Sequence, residues 1–154
     1  MGDSLGTGIG VKIGNPSLNV HIFAGDGCFK YFEGSLSNVQ NLGLTVWILD
    51  NGGYHIVGKG LETVMPHIEK RRYHSFYKNR TDFVKVAEAH GWQAYKLKPD
   101  LSNLKELMER SYSPERKTSM LVHIPVDLDI EVGLNPRLIN LRKQGKYTIY
   151  SVTV

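Results

Sequence analysis

The chain has 154 residues, of which 41% are hydrophobic and 22% are charged, as is usual for a globular protein with one domain and a sizeable core. No apolar run approaches the roughly 18 residues of a membrane helix, and the amino terminus lacks the layout of a secretory signal. The sequence therefore excludes a membrane-spanning protein and predicts a cytoplasmic one. The single cysteine, Cys28, agrees with a reducing compartment.

Helical spacing marks the first element. Leu5, Ile9 and Ile13 recur on one helix face and predict a helix that Gly14-Asn15-Pro16 ends. An apolar β run over residues 20–24 then predicts the first strand.

Two glycine-rich groups each follow a predicted strand. Gly25-Asp26-Gly27 comes after the first strand, and Asp50-Asn51-Gly52-Gly53-Tyr54 comes after a second strand, predicted over residues 44–49. A short helix is predicted between them, over residues 34–41. Ligands of open α/β sheets bind beyond the carboxyl ends of the strands, so both groups are expected at one crevice.

The two groups deliver oxygen ligands to that crevice. The Asp26 carboxylate, the Asn51 amide oxygen and one main-chain carbonyl would satisfy a magnesium ion, which prefers hard oxygen ligands and fills its shell with water and phosphate. The surrounding glycines let the backbone approach a ligand closely. These residues therefore predict a site for a magnesium ion that carries a diphosphate.

Residues 69–80 interleave basic and aromatic side chains and concentrate the mild net charge of +4. Such interleaving can bind single-stranded nucleic acid through phosphate contacts and base stacking. A basic segment is more often a solvated face or an interface, so a nucleic-acid-binding module is the less favoured alternative.

Another helix is predicted after the basic segment. Thr81 is its expected N-cap, Asp82 lies in the first turn, where a carboxylate opposes the helix dipole, and Gly91 ends it. Its expected buried stripe consists of Phe83, Val86, Ala87 and His90.

The rest of the pattern predicts a strand over residues 93–97, a helix capped by Asp100, and a last core strand over residues 119–126. The apolar positions of that helix are Leu101, Leu104, Leu107 and Met108.

Strands that alternate with helices predict βαβ units. The expected fold class is α/β, a three-layer sandwich with a mainly parallel central sheet and helices on both faces. One domain is expected over residues 1–130. Residues 131–154 are expected to form a C-terminal extension or arm that packs on the domain or on a neighbour.

The two glycine-rich groups resemble the bipartite signature of thiamine diphosphate-dependent enzymes, a GDG followed by NN or DN. The resemblance implies that Asp26 and Asn51 are magnesium ligands and that Gly53 supplies a carbonyl. It extends over roughly residues 2–127, because residues 2–10 are similar to the glycine-rich segment of the acetolactate synthase and pyruvate decarboxylase group, and residues 81–91 and 122–127 are similar to its later helix and last strand.

The same resemblance assigns further residues to the cofactor. Leu5 matches the bulky apolar residue that props the cofactor into its bent shape. The full set of expected cofactor-binding residues is Ser4, Leu5, Gly25, Asp26, Gly27, Cys28, Asn51, Gly53 and Tyr54.

The chain departs from the family pattern at three places. Asp26 and Asn51 are 25 positions apart, slightly short for the decarboxylase group, so the intervening helix is expected to be trimmed. Asp50 stands where many relatives have the first Asn, which changes the local charge but not the expected ligand. Asp3 replaces a glycine whose carbonyl commonly faces the cofactor.

Histidines offer one candidate for chemistry. His55 follows the magnesium loop and could donate a proton to the substrate, since histidine titrates near neutrality; a loop histidine with no catalytic duty is an equal alternative. His21 and His123 lie inside predicted strands and are expected to be structural, and His90 is expected to pack.

The resemblance implies the diphosphate-binding domain or subunit of a thiamine diphosphate- and magnesium-dependent enzyme that acts on 2-oxo acids by decarboxylation or carboligation. Such enzymes build the active site between two domains, and no part of this chain resembles the pyrimidine-binding one with its activating glutamate. A partner of that kind, a homo- or hetero-oligomer and an inactive isolated chain are therefore expected. A catalytically idle regulatory or assembly homologue is the alternative.

Overall fold

The computed structural model describes residues 2–55 and 80–127. Four parallel strands form one sheet in the order β1-β2-β4-β3. The strands are β1 His21–Gly25, β2 Thr45–Asp50, β3 Gln93–Lys96 and β4 Met120–Pro125. The helices are α1 Asp3–Gly14, α2 Asp26–Phe29, a 3₁₀ helix Lys30–Val39, α3 Phe83–Ala89 and α4 Leu104–Ser111.

One face of the sheet packs against α1, the 3₁₀ helix and α3. Their buried side chains form a single core cluster with alternate residues of the strands, among them Ile22, Ile48 and Leu121. Gly8 of α1 allows a close approach here, because a Cβ at that position would lie 2.3 Å from Ile22 Cδ1. Trp92 closes the cluster and donates its Nε1–H to the Leu36 carbonyl at 2.9 Å.

The opposite face packs against α4. Leu107 of that helix belongs to a second cluster with Trp47, Leu97, Met120 and Val122. Trp47 Nε1 donates to His21 Nδ1 at 3.2 Å. Helices therefore cover both faces, and the predicted three-layer α/β fold is confirmed.

Several predicted boundaries need correction. The helix expected over residues 34–41 is a 3₁₀ helix over Lys30–Val39, and α2 precedes it directly from Asp26, so the first glycine-rich group is partly helical. The N-cap of α3 is Asp82 and not Thr81, since the Asp82 side chain accepts the Lys85 amide at 3.2 Å. Gly91 ends this helix as predicted, with a φ of +78° that favours glycine.

The helix expected after Asp100 starts later. Leu101 has a φ of +58°, which does not fit a right-handed helix, and Asp100 accepts the Ser102 amide in a turn. The N-cap position belongs to Asn103, whose side chain instead closes the preceding loop by bonds to Lys98 and Lys96.

Within residues 2–55 and 80–127, none of the helices has the length and apolar content needed to cross a membrane. The predicted arm over 131–154 and nearly all of the basic segment, residues 69–79, lie outside the described residues.

Candidate functional site

Side-chain alternation brings polar groups together at the carboxyl ends of β1, β2 and β4. Asp26 follows Ala24 on one face of β1, and Asp50 follows Ile48 on the same face of β2. Ala24 pairs with Ile48 and Ile48 pairs with His123, so the register places all three polar side chains at neighbouring strand ends.

Asp26 is buried, with 3% of its surface exposed. Its Oδ1 accepts the Gly27 amide at 2.8 Å, whereas its Oδ2 has no hydrogen-bond partner among the described residues. Burial raises the pKa of Asp26, and the neighbouring Asp50 carboxylate raises it further against the opposing effect of the Gly27 amide. One carboxylate oxygen is therefore available to a ligand.

Asp50, by contrast, uses both carboxylate oxygens. Oδ2 lies 2.8 Å from His123 Nε2, and Oδ1 accepts the Gly52 amide at 2.9 Å. Burial raises the pKa of Asp50, but the bonds to His123 and Gly52 outweigh burial and the net pKa is lowered. An ionised carboxylate only accepts hydrogen bonds, so His123 Nε2 is the donor.

The turn after β2 carries the second oxygen donor. Asn51 Oδ1 accepts the Gly53 amide at 3.2 Å, which leaves a second lone pair on the amide oxygen. Gly52 has a φ of +76°, in the left-handed region that favours glycine. The Arg80 guanidinium covers this glycine, because a Cβ there would lie 2.9 Å from Arg80 Nη2.

These oxygen donors fit a hard cation that receives its other ligands from a bound anion. Asp26 Oδ2 and Asn51 Oδ1 are the donors that a magnesium ion prefers. In the described part of the chain, no cluster of three or more His, Cys, Asp or Glu side chains could hold a metal ion alone. A cation here would accordingly need ligands beyond these side chains, as magnesium diphosphate provides.

The other predicted site residues lie at different depths. Gly25 and Gly27 flank Asp26, and Cys28 is half-buried in α2. Tyr54 and His55 are half-buried and follow the turn after β2. In α1, Ser4 is exposed, whereas Leu5 is only 2% exposed and belongs to the core cluster. The roles of these residues toward a cofactor stay predictions.

Two features of the site were not predicted from the sequence. His123 was expected to be merely structural, yet it bonds to Asp50 beside Asp26. Arg80 was counted only as part of the basic segment, yet it covers Gly52. The alternation of Leu121 and His123 along β4 was a usable signal for the first, since it places the imidazole on the same face as the core residues.

Comparisons with known proteins identify relatives of this chain. A family model described as the C-terminal TPP binding domain of thiamine pyrophosphate enzymes matches residues 1–124. The acetolactate synthase large subunit of Lactococcus lactis subsp. lactis (strain IL1403) is 31% identical over 99 residues, which are 63% of this chain and 17% of that protein.

A solved structure shows the same fold. The thiamine diphosphate-dependent 4-hydroxybenzoylformate decarboxylase of Rhodococcus jostii RHA1 matches with a TM-score of 0.67 and 19% identity, over 84% of this chain and 24% of that chain. The chain thus spans less than a quarter of the length of each of these two relatives. With most of its length matched by the family model, the chain belongs to the family of C-terminal thiamine pyrophosphate-binding domains of thiamine pyrophosphate enzymes.

Proposed function

We propose that this chain forms the diphosphate- and magnesium-binding part of an enzyme that uses thiamine diphosphate to decarboxylate 2-oxo acids or to join them to an acceptor. The observation that carries the proposal is the buried Asp26 carboxylate, whose Oδ2 has no hydrogen-bond partner among the described residues and lies at the strand end next to the Asn51 turn. A buried carboxylate oxygen without a partner is costly in the free protein, and a bound cation would remove that cost. Relatives that act as acetolactate synthase and as a decarboxylase support the reaction class.

Each site residue has a role in this proposal. Asp26 Oδ2 and Asn51 Oδ1 bind the magnesium ion, and the Gly53 carbonyl completes the protein's share of its ligands. The backbone of Gly25, Gly27 and Cys28 lies beside the diphosphate. Ser4, Leu5 and Tyr54 contact the organic part of the cofactor, with Leu5 against its central bend.

Thiamine diphosphate supplies, when bound, the carbon nucleophile and the electron sink that the reaction of a 2-oxo acid requires. The chain's own residues orient the diphosphate, neutralise its charge through magnesium, and exclude water from the buried carboxylates. His55, which follows the turn, is proposed to donate a proton to the substrate.

A pyrimidine-binding segment is the proposed partner, in the same chain or in another one, and the working enzyme is an oligomer in the cytoplasm. The partner supplies the glutamate that bonds to the pyrimidine ring. We expect no decarboxylase or carboligase turnover from these 154 residues alone, and turnover after a chain that carries this glutamate is added. Turnover by a verified monomer with only magnesium and thiamine diphosphate would contradict this dependence.

The binding test uses the full chain and isothermal titration with thiamine diphosphate, with magnesium present or chelated. Binding should need magnesium and should be lost in Asp26→Ala and Asn51→Ala. Thermal melts should agree, because a ligand at a hundredfold excess over its dissociation constant stabilises the folded state by about 2.7 kcal/mol.

Two matched variants control for the loss of a turn bond. Asn15 accepts the Ser17 amide at 3.3 Å in the same local geometry as Asn51, and Asp100 is an exposed carboxylate that accepts the Ser102 amide. Asn15→Ala and Asp100→Ala should bind like wild type. Equal affinities in all five proteins would refute the ligand assignment.

A further inference from the structure

We propose that His123 is a positioning residue for the magnesium diphosphate site. Its Nε2–H donates a hydrogen bond to the Asp50 carboxylate. Asp50 thereby fixes the orientation of the turn that carries Asn51 and Gly53. The identity of the ligand rests on the function proposed above, whereas the arrangement of the turn does not.

A continuous series of contacts leads from the core to the turn. Phe29 of α2 meets Phe83 of α3 edge to face at 5.8 Å, and Phe83 meets the His123 imidazole edge to face at 5.6 Å. The imidazole, fixed in this way, donates to Asp50 Oδ2 at 2.8 Å, and Asp50 Oδ1 accepts the Gly52 amide at 2.9 Å. The orientation of the turn therefore depends on a side chain that itself lies outside the turn.

The backbone of Asp50 is held as well, so the contact with His123 acts on the side chain. The Asp50 carbonyl accepts the Val126 amide at 2.8 Å, which ties the end of β2 to β4 independently of the imidazole. Loss of His123 should consequently free the Asp50 carboxylate and the Gly52 amide without detaching the strand.

His123 also decides which carboxylate is available to a cation. Asp26 and Asp50 end neighbouring strands, and of the oxygens of these two carboxylates Asp26 Oδ2 alone lacks a partner among the described residues. Without the imidazole, Asp50 Oδ2 would join it as a second open carboxylate oxygen. Calcium takes six to eight oxygen ligands and accepts carboxylates in flexible geometry, whereas magnesium demands a small octahedral shell. His123 therefore favours magnesium over calcium.

The contact between His123 and Asp50 explains how this chain can have an Asp at a position where many relatives have an Asn. An Asn at this position could satisfy the Gly52 amide with no charge to bury. An Asp adds a buried charge that is costly unless it is paired and hydrogen-bonded, and His123 provides that partner. The need for His123 should thus be smaller in an Asp50→Asn background.

The first experiment needs no cofactor. Amide hydrogen exchange is measured at Gly52 in the full chain and in His123→Leu, with the amides of Met120–Val122 in β4 as internal reporters of global stability. His123→Gln keeps an N–H donor near the position of Nε2. We expect Gly52 to exchange at least about tenfold faster in the Leu variant, relative to β4, and near the wild-type rate in the Gln variant. His21→Asn, a change at another strand histidine, is the control.

The second experiment measures the affinity for thiamine diphosphate with magnesium or with calcium. His123→Leu should lose about tenfold or more in the presence of magnesium, with a smaller loss for calcium, and His123→Gln should recover most of it. If His123→Leu does not fold, the His123→Gln and Asp50→Asn variants and their double variant decide, because only coupled residues show non-additive affinities.

The outcomes separate this inference from the proposed function. Unchanged Gly52 exchange in the Leu variant overturns the inference, as does faster exchange with unchanged magnesium affinity and an unchanged preference over calcium. A third outcome is that the wild-type protein binds no thiamine diphosphate while Gly52 exchange is accelerated in the Leu variant. This outcome overturns the proposed function and supports the inference that His123 orients the turn.

Discussion

The two ends of the sheet both bury a charged group, but they treat it differently. At the amino ends of β2 and β4, the half-buried Arg116 guanidinium donates from its two terminal nitrogens to five acceptors, namely the carbonyls of Gly43, Leu44, Ser111 and Thr118 and the hydroxyl of Thr45. Only its Nε lacks a partner among the described residues. At the carboxyl ends, the more deeply buried Asp26 has a hydrogen-bond partner among the described residues for only one of its two oxygens.

This difference separates stabilisation from binding. Burial lowers the pKa of Arg116, but its many carbonyl acceptors make the guanidinium a clamp that joins the loop before β2 to the loop before β4. Residues 2–55 and 80–127 offer no donor to Asp26 Oδ2, and such exceptions among buried polar groups call for an explanation. A charged group that is hydrogen-bonded by the protein stabilises the fold, whereas a buried acceptor that lacks such a bond is suited to bind a ligand.

The largest effect on the free energy of unfolding is expected at the amino ends of β2 and β4. Arg116→Leu should lower the free energy of unfolding by about 3 kcal/mol, because several carbonyls lose a charged donor at once. The measurement is urea denaturation of the full chain. Arg110→Leu is the matched control, since that arginine is exposed and pairs with Glu106 on the surface, where an ion pair adds little to stability. The comparison fails if both variants lose the same stability.

At the carboxyl ends of the strands, a substitution should raise the free energy of unfolding instead of lowering it. Asp26→Asn should raise the free energy of unfolding of the cofactor-free protein by about 1 kcal/mol at neutral pH, because it removes a buried charge with an oxygen that no described residue bonds. The same variant should lose magnesium-dependent cofactor binding. The paired measurements are urea denaturation and titration with thiamine diphosphate.

The pH dependence of the free energy of unfolding tests whether the charge of Asp26 causes the stability gained in Asp26→Asn. The pKa of Asp26 is raised in the folded state, so its favourable contribution is present below the ordinary pKa of 3.8 and is lost as the pH rises through the raised value. The advantage of Asp26→Asn should grow over that interval and then level off. Asp50→Asn should do the reverse, since the lowered pKa of Asp50 stabilises the fold above 3.8 and that stability is lost as the pH falls. An advantage of Asp26→Asn that is independent of pH would rule out the charge as its cause.

The smallest effect is expected on cofactor binding, at the exposed edge of the site. Arg80 lies over Gly52, where its charge can attract a diphosphate without being buried. Arg80→Gln should weaken thiamine diphosphate binding about threefold, or about 0.6 kcal/mol, with no change in melting temperature and with the loss reduced at high salt. Lys85→Gln, at an exposed lysine paired with Asp82, is the control. A lowered melting temperature for Arg80→Gln would instead make Arg80 a structural clamp on the turn.

Local patterns in the sequence predicted the elements that carry the site. Apolar runs predicted β1 and β2 within one residue, and the polar residues after them, Asp26 and Asn51, lie at neighbouring strand ends. The boundaries failed where two residues compete for one role. Thr81 and Asp82 are both good N-caps, and only the backbone decides between them.

The Asp50–His123 pair could not be predicted in the same way. These residues are 73 positions apart, and they meet because β4 lies beside β2 in the strand order. Periodicity shows which face of a strand is buried but not which strand is its neighbour. Arg80 presents the same difficulty, since its position over Gly52 depends on how the chain returns to the sheet.

The two tryptophans of the chain lie on opposite faces of the sheet, and this gives the protein two built-in optical probes. Trp92 belongs to the cluster on the face of Asp26 and Asp50, whereas Trp47 belongs to the cluster under α4. Burial, followed by the nearby Arg116 charge, lowers the pKa of His21, so the imidazole keeps the unprotonated Nδ1 that accepts the Trp47 indole to a lower pH than an ordinary histidine would. In single-tryptophan variants, emission from Trp92 should report on the packing of the cluster that contains Ile22, Ile48 and Leu121, and emission from Trp47 should report on the packing of α4.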